Sequence, residues 1–460
     1  MERIKMRMQS PQDRINNFNE VELGYNDKEA LEEANRCLQC LNPRCVKGCP
    51  VNIEIPKFIK EIKEGNIEKA YEIIRNSSSL PAVCGRVCPQ EKQCEGMCVK
   101  GIKGEAIAIG ALERYVADCA LKNNYSSVLN IEKNSKKVAI VGSGPAGLTC
   151  AGELAKNGYS VTIYEVLHEA GGVLTYGIPE FRLPKEIVKK EIESLKKLDV
   201  EIKTDIPVGN AITIDDLRKE YDYVFLGQGA GLPKFMGIPG EEGNEVFSAN
   251  EILTRINLMK AYKSDSKTPI KKSKKAYVIG GGNVAMDAVR SLKRLGIEAH
   301  LMYRRGEDEL PARKVEIEHA KEEGIVFDLL TNPKKILLDE NNNVIGMEVI
   351  DMELSDIVDG RRSVNEKLGS EHRVDCDMVV MALGTSPNHE ALKNSNIKLD
   401  EKGLIVVDEL KTSLDNVYAG GDSVTGSATV ILAMEAGKKA AKRIMEELWN
   451  YFLQLVIYLK

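Results

Sequence analysis

The chain has 460 residues, room for about three domains. Its 43% hydrophobic and 29% charged residues describe a globular protein with real cores, and a net charge of -5 gives no reason to expect nucleic acid or an anionic membrane as partner. Met1 to Ser10 lacks the apolar run of a secretory signal, and Leu448 to Leu459, interrupted by Asn450 and Gln454, is too short to span a bilayer. The expected setting is the cytoplasm, where thiols stay reduced.

Residues 1–130 form a Cys-rich, mostly helical head. The first four cysteines stand as Cys37-x2-Cys40-x4-Cys45-x3-Cys49, followed by Pro50. The next four stand as Cys84-x3-Cys88-x5-Cys94-x3-Cys98, with Pro89 after Cys88. Short-spaced cysteines ending in Cys-Pro are a pattern of two-cluster iron–sulfur proteins, in which the last Cys of a run ligates the other cluster. Structural zinc and a disulfide framework are the rival readings. Zinc sites use tight pairs set well apart, and disulfides need an oxidising compartment. Between the quartets, apolar residues from Ile55 to Ile74 recur at helical spacings, with a break at Gly65 and Asn66. A further helix is expected over Ala106 to Leu121, and Lys122 to Lys136 reads as a linker.

Lys137-Val-Ala-Ile-Val-Gly-Ser-Gly-Pro-Ala-Gly147 is an apolar strand running into a G-x-G-x-x-G turn. A helix to about Lys156 and a strand from Val161 to Tyr164 follow, ending in Glu165. Such glycines let the backbone approach a pyrophosphate at the helix N-terminus, and the acid takes the ribose hydroxyls. The unit returns as Ala276-Tyr-Val-Ile-Gly-Gly-Gly-Asn-Val-Ala285, with a strand Ala299 to Met302. There Tyr303 takes the acid's place, with Arg304 and Arg305 next. Arginines bind a 2′-phosphate that an acid would repel, so the first site suits FAD and the second NADP(H). A solvated strand end is the plainer alternative for this pair.

A strand is also expected over Tyr223 to Leu226. Val326 to Leu330, Lys335 to Leu338 and Val344 to Met352 read as a hairpin around Asn341-Asn342-Asn343. A strand Met378 to Leu383 and a helix from about Thr429 to Met445 complete the pattern. The fold class is therefore α/β with an N-terminal all-α iron–sulfur domain. Two Rossmann-like domains follow, the NADP domain inserted into the FAD domain: 137–255 and 385–447 for FAD, 256–384 for NADP(H), and 448–460 as a tail. A flavin converts between the hydride of NAD(P)H and one-electron clusters, so this is an electron wire. Cys119, Cys150 and Cys376 stand apart, the last two as buried structural thiols.

Several longer motifs carry a family resemblance. Cys37-Leu-Gln-Cys-Leu-Asn-Pro-Arg-Cys45, Cys84-Gly-Arg-Val-Cys-Pro-Gln-Glu91, Gly171-Gly-Val-Leu-Thr-Tyr-Gly-Ile-Pro-Glu-Phe-Arg-Leu-Pro184 and Gly280-Gly-Gly-Asn-Val-Ala-Met-Asp287 resemble the small (beta) subunit of NADPH-dependent glutamate synthase. Its relatives include the large subunit of the electron-bifurcating NADH-dependent reduced ferredoxin:NADP+ oxidoreductase and the N-terminal half of dihydropyrimidine dehydrogenase. The resemblance implies two 4Fe-4S clusters with crossed ligation, one on Cys37, Cys40, Cys45 and Cys98. The other would use Cys49, Cys88 and Cys94 with Glu113 as fourth ligand, leaving Cys84 a neighbour. The plainer alternative for Glu113 is an exposed helix carboxylate.

The same resemblance implies FAD contacts from Gly142, Gly144, Ala146, Gly147, Glu165, Gly172, Arg182, Gly421, Asp422 and Thr429. It implies NADP(H) contacts from Gly280, Gly282, Asn283, Val284, Arg304, Arg305 and Gly384, with Arg313 adding charge to the phosphate pocket. No catalytic acid, base or nucleophile is assigned. The implied partner is the glutamate synthase large subunit or another electron-accepting flavoprotein, with ferredoxin the partner on the bifurcating alternative, in an oligomeric assembly.

Overall fold

The computed structural model describes residues 2–125, 131–358 and 360–458, with side chains to residue 447. The tail residues Trp449, Tyr451, Phe452 and Leu453 therefore have side chains outside the described residues.

The head is built from α1 (Asp27–Asn35), α2 (Ile55–Lys63), α3 (Ile67–Arg75), α4 (Pro81–Val87) and α5 (Ile109–Asn123). α1 starts with a capping box, in which the Asn26 side chain accepts from Glu29 N–H and the Glu29 carboxylate accepts from Asn26 N–H. α2 and α3 bury the predicted stripe, Ile55, Phe58, Ile59 and Ile62 on one and Ala70, Tyr71 and Ile74 on the other. Buried Glu33 pairs with Arg36 and accepts from the N–H groups of Ile4 and Ala108, pinning α1 to the entry of α5.

The first nucleotide unit is a five-stranded parallel sheet. Its strands are β1 (Lys137–Val141), β2 (Ser160–Tyr164), β3 (Glu201–Lys203) and β4 (Tyr223–Leu226). α6 (Pro145–Lys156) joins β1 to β2, and α7 (Lys185–Lys196) precedes β3. The second unit is also a five-stranded parallel sheet. It contains β5 (Val246–Ser248), α8 (Ala249–Asn257), β6 (Lys275–Ile279), α9 (Asn283–Arg294), β7 (Glu298–Tyr303), α10 (Lys314–Glu322) and β8 (Val326–Leu329). An antiparallel sheet follows from β9 (Thr331–Leu338), β10 (Val344–Val358) and β11 (Arg361–Glu366). The chain returns through β12 (Met378–Met381) to complete the second sheet in the order β8–β7–β6–β12–β5. It then supplies β13 (Val417–Ala419) to the first, ordered β13–β4–β1–β2–β3, and ends in α11 (Val430–Tyr458).

Two elements fall differently from the sequence reading. Val326–Leu329 is no hairpin arm; it is the parallel edge strand of the second sheet, paired with β7. The second unit also begins earlier than residue 256, because β5 pairs with β12. A short apolar run carries no mark of whether its partner is parallel or antiparallel, and only the long-range pairing decides.

Head and first unit share one core. Phe58, Ile74 and Leu112 lie in the same buried cluster as Leu148, Leu154, Met434 and Ile444. Lys438 of α11 donates to the carbonyls of Val51 and Ser77. No helix among the described residues is long and apolar enough to cross a membrane.

Candidate cofactor sites

Cys37, Cys40, Cys45 and Cys98 line one cavity of about 400 Å3, its open mouth included. Cys37 follows the last turn of α1, where Lys63 Nζ donates to its carbonyl (3.0 Å) and Gln39 Nε2 to its Sγ (3.5 Å). Gly48 makes the crossing of the two cysteine loops possible, since a Cβ there would lie 2.8 Å from Gln93 O. Burial, with Cys98 and Cys37 alongside, pushes the Cys45 thiol up to about 11. Crowded thiols resist ionising until a cationic centre neutralises them, which couples metal binding to deprotonation. Among the described residues no three Cys, His, Asp or Glu side chains converge on a single ion. Four thiols around one opening, with no three of them drawn in to a single ion, form a donor set that fits a polynuclear cluster.

A second set lies inside the head. Cys49, Cys88 and Cys94 are buried, and Glu113 is only 5% exposed. Burial, with Glu191 nearby, pushes the Glu113 carboxyl up to about 8, and its Oε1 has no hydrogen-bond partner among the described residues. An exposed helix carboxylate, the plainer expectation, is thereby excluded. Glycines bring Glu113 this close: a Cβ on Gly85 would meet the Arg114 backbone at 2.6 Å, and one on Gly110 the Gln90 side chain at 2.4 Å. The rise of the Cys94 thiol comes from burial first, then from Glu95, Glu113 and Cys49, which lie close enough to repel its ionised form. A buried, unpartnered carboxylate among thiols fits a cluster ligand. Cys84 Sγ lies 3.4 Å from Met434 Sδ and 3.8 Å from Ser78 Oγ, and the thiol also hydrogen-bonds Cys88 of the buried set.

At the first glycine turn, Gly142 has φ +96°, and a Cβ on Gly147 would lie 2.0 Å from Gly142 O. α6 starts at Gly144 without a side-chain cap, leaving its first N–H groups for an anion. Glu165 Oε2 accepts from Ser143 N–H (2.9 Å) and Oγ (2.5 Å), and Gly171 N–H donates to the same Ser143 Oγ. Gly172 packs on Gly144, Gly421 on Ala146, and a Cβ on Gly437 of α11 would lie 2.1 Å from Ala146 O. Thr429 stands just before α11, its Oγ1 accepting from Leu432 N–H. Burial pushes the Asp422 carboxyl up to about 6, opposed by the Ala428 N–H. Of the residues expected in this crevice, Arg182 alone is turned elsewhere. It donates to both Asp287 oxygens (2.7 and 2.8 Å) and pairs with Glu316 (2.8 Å), a buried clasp between the two nucleotide units.

The second turn repeats the geometry. Gly280 has φ +141°, and a Cβ there would lie 2.4 Å from Ala382 O, next to Gly384. α9 starts at Gly282 without a side-chain cap. Asn283 Oδ1 accepts from Arg313 N–H (2.9 Å), and Val284 is exposed. Arg304 is open to solvent at the end of β7, whereas Arg305 Nε donates to Arg362 O (2.6 Å). The Arg313 guanidinium does not serve a phosphate pocket; it reaches Gln90 and Glu91 of the head.

Sequence reasoning missed the charged cluster behind these sites. Arg14, Arg290 and Arg294 converge on Glu323, Arg290 also on Glu316, and all but Glu316 are essentially sealed from solvent. The quoted motifs contained two members of the cluster, Arg182 and Asp287, but nothing in them says that they pair.

Comparison with known proteins shows the family. Residues 14–125 match the family described as dihydropyrimidine dehydrogenase domain II, 4Fe-4S cluster, and residues 136–437 match pyridine nucleotide-disulphide oxidoreductase. The chain is 37% identical to the glutamate synthase [NADPH] small chain of Escherichia coli over 440 residues, 93% of each chain. It is 39% identical to the NADP(+)-dependent formate dehydrogenase subunit beta of Moorella thermoacetica, covering 87% of this chain and 59% of that one. The structure of Mycobacterium tuberculosis FprA in complex with NADPH superposes with a TM-score of 0.59 at 19% identity, over 70% of this chain and 86% of that one, and shares the fold. Cys150 and Cys376 are separately buried and free, so the cysteines of the nucleotide units form no disulfide-reductase pair.

Proposed function

The chain belongs to the family of NADPH-dependent glutamate synthase small chains, iron–sulfur flavoprotein oxidoreductases, and on that premise we propose that it feeds electrons from NADPH to a partner subunit for glutamate synthesis. The observation that carries the reading is the position of the two thiol sets. The buried set, Cys49, Cys88, Cys94 and Glu113, stands beside α11, where Cys84 meets Met434, and α11 packs by Gly437 onto the FAD turn. The outer set opens to the surface. Bound FAD supplies the conversion between a hydride donor and one-electron 4Fe-4S clusters.

The residues do the rest. Gly142, Gly144 and Gly147 clear the path for a pyrophosphate on α6, and Glu165, preset by Ser143, holds the ribose. Gly171 and Gly172 close over the same turn. Gly280 and Gly282 prepare the second site, and Arg304 takes the 2′-phosphate. Cys37, Cys40, Cys45 and Cys98 hold the outer cluster. Free thiols suit a reducing compartment such as the cytoplasm.

Among the described residues the elements belong to the head, the two nucleotide units and the antiparallel sheet of β9, β10 and β11. Purified holoprotein is expected to reduce ferricyanide with NADPH yet make no glutamate from glutamine and 2-oxoglutarate until a large chain is added. Steady glutamate formation by this chain alone would overturn the reading.

Arg304 and Arg305 should differ in weight. Arg304→Ala is expected to raise KM for NADPH by about tenfold or more, the worth of one charge-assisted hydrogen bond, with KM for NADH nearly unchanged. Arg305→Ala, already engaged with Arg362 O, should cost less. Equal losses with both coenzymes, read in steady-state kinetics, would remove the phosphate role.

A further inference from the structure

The outer cysteine site opens onto a face whose composition departs from the rest of this acidic chain. Leu41 is fully exposed at 100%, Ile102 at 69% and Leu38 at 61%, and all three sit on the loops that carry Cys37, Cys40, Cys45 and Cys98. Leu38 lines the opening itself, and large apolar side chains left in water on the loops that form it mark a contact surface. The same loops carry Arg44, Lys47, Lys100 and Lys103, and from Cys37 to Ile53 and from Gly96 to Gly104 there is no Asp or Glu. None of these four cations has a hydrogen-bond or ion-pair partner among the described residues. Elsewhere on the surface lysines commonly stand beside carboxylates, as Lys57 does with Glu54, Lys196 with Glu193 and Lys439 with Glu435.

We propose that this face, an apolar centre of Leu38, Leu41 and Ile102 ringed by Arg44, Lys47, Lys100 and Lys103, docks an electron-carrying protein whose own redox centre is ringed by carboxylates. The inference rests on the electron-wire reading above. Electron transfer falls steeply with distance, so a partner must reach the outer thiols, and Cys49, Cys88 and Cys94 are too deeply buried to serve. Unpaired cations raise the encounter rate with an acidic partner, and the leucines, once desolvated, hold it.

The test uses holoprotein reconstituted without oxygen and an acidic plant-type 2Fe–2S ferredoxin as probe, with binding read by biolayer interferometry at low and high salt. Binding at low salt is expected to weaken about tenfold or more as the Debye length shrinks from ~30 to ~8 Å. A Lys47→Glu/Lys103→Glu double variant is expected to lose a further tenfold or more, and Leu41→Asp to weaken binding at both salts. Bleaching of the flavin by NADPH should keep its rate in all variants. The docking proposal is overturned if ferredoxin does not bind, if the variants bind it as tightly as the parent, or if the parent self-associates through this face. A failure of the electron wire shows separately, as NADPH leaving the parent's clusters oxidised.

Discussion

Glu113→Leu is expected to strip the protein of one cluster, about half its bound iron, while Glu113→Gln keeps it and Cys84→Ala leaves the iron nearly intact. The argument is geometric. The Glu113 oxygen is buried without a partner among Cys49, Cys88 and Cys94, a costly arrangement unless a metal satisfies it. Leucine fills the volume without a donor, leaving three thiolates, whereas glutamine preserves an oxygen ligand. Cys84 is fully buried, so its loss costs about 1 kcal/mol or more in packing, and its thiol, set between Met434, Ser78 and Cys88, is taken as a hydrogen-bonding neighbour of the Cys88 ligand. Iron analysis and EPR of anaerobically prepared variants give the answer. Loss of a whole cluster in Cys84→Ala, with Glu113→Leu unaffected, would exchange the two roles.

The second large effect is on stability. Glu323→Ala leaves Arg14, Arg290 and Arg294 buried without their shared counter-charge and is expected to cost about 3–5 kcal/mol. Because Arg14 comes from the N-terminal arm, the loss should appear as release of that arm from the second nucleotide unit. Burial works against the charge of Glu316 and Glu323, but Arg182 and Arg290 beside the first, and Arg294 and Arg290 beside the second, outweigh it and hold both carboxyls at about 2. Each therefore stabilises the fold fully above the ordinary 4.5 of a free glutamate, and that stability is lost as pH falls from there towards 2. His319, pushed down to about 4 by burial and by Arg290, adds a loss that begins near its ordinary 6.5, since the unfolded state takes up the proton first. Urea midpoints should fall with pH in two stages in the parent, and Glu323→Ala should flatten the lower one. An acid profile unchanged by the substitution would contradict the role of the cluster.

What the sequence made legible was local. Both glycine turns could be read because a strand, a tight turn and a helix occupy neighbouring residues, and the same holds for the break at Gly65 and Asn66 between α2 and α3. The Val326 run could not be placed, because pairing with β7 is settled by packing across the sheet. The charged cluster was invisible for a like reason: Arg14 and Glu323 meet across 309 residues, and an arginine that will be buried looks no different from a solvated one. Arg182 and Arg313 mislead in the same way, standing in motifs tied to the cofactor sites while their guanidinium groups clasp one part of the molecule to another. Glu113 lay between these extremes. Its position on a helix was readable, but its burial depends on Gly85 and Gly110 letting α4 and α5 close.

The central claim is that NADPH, FAD and the cysteine-bound clusters form one conducting path in this chain. It is tested most directly by adding NADPH to anaerobic holoprotein and following the flavin absorbance together with the EPR signal of reduced clusters. The account predicts that the flavin bleaches and a reduced-cluster signal grows with it, and that both fail at low NADPH in Arg304→Ala. A flavin that bleaches fully while the clusters stay oxidised, with iron present, would contradict it.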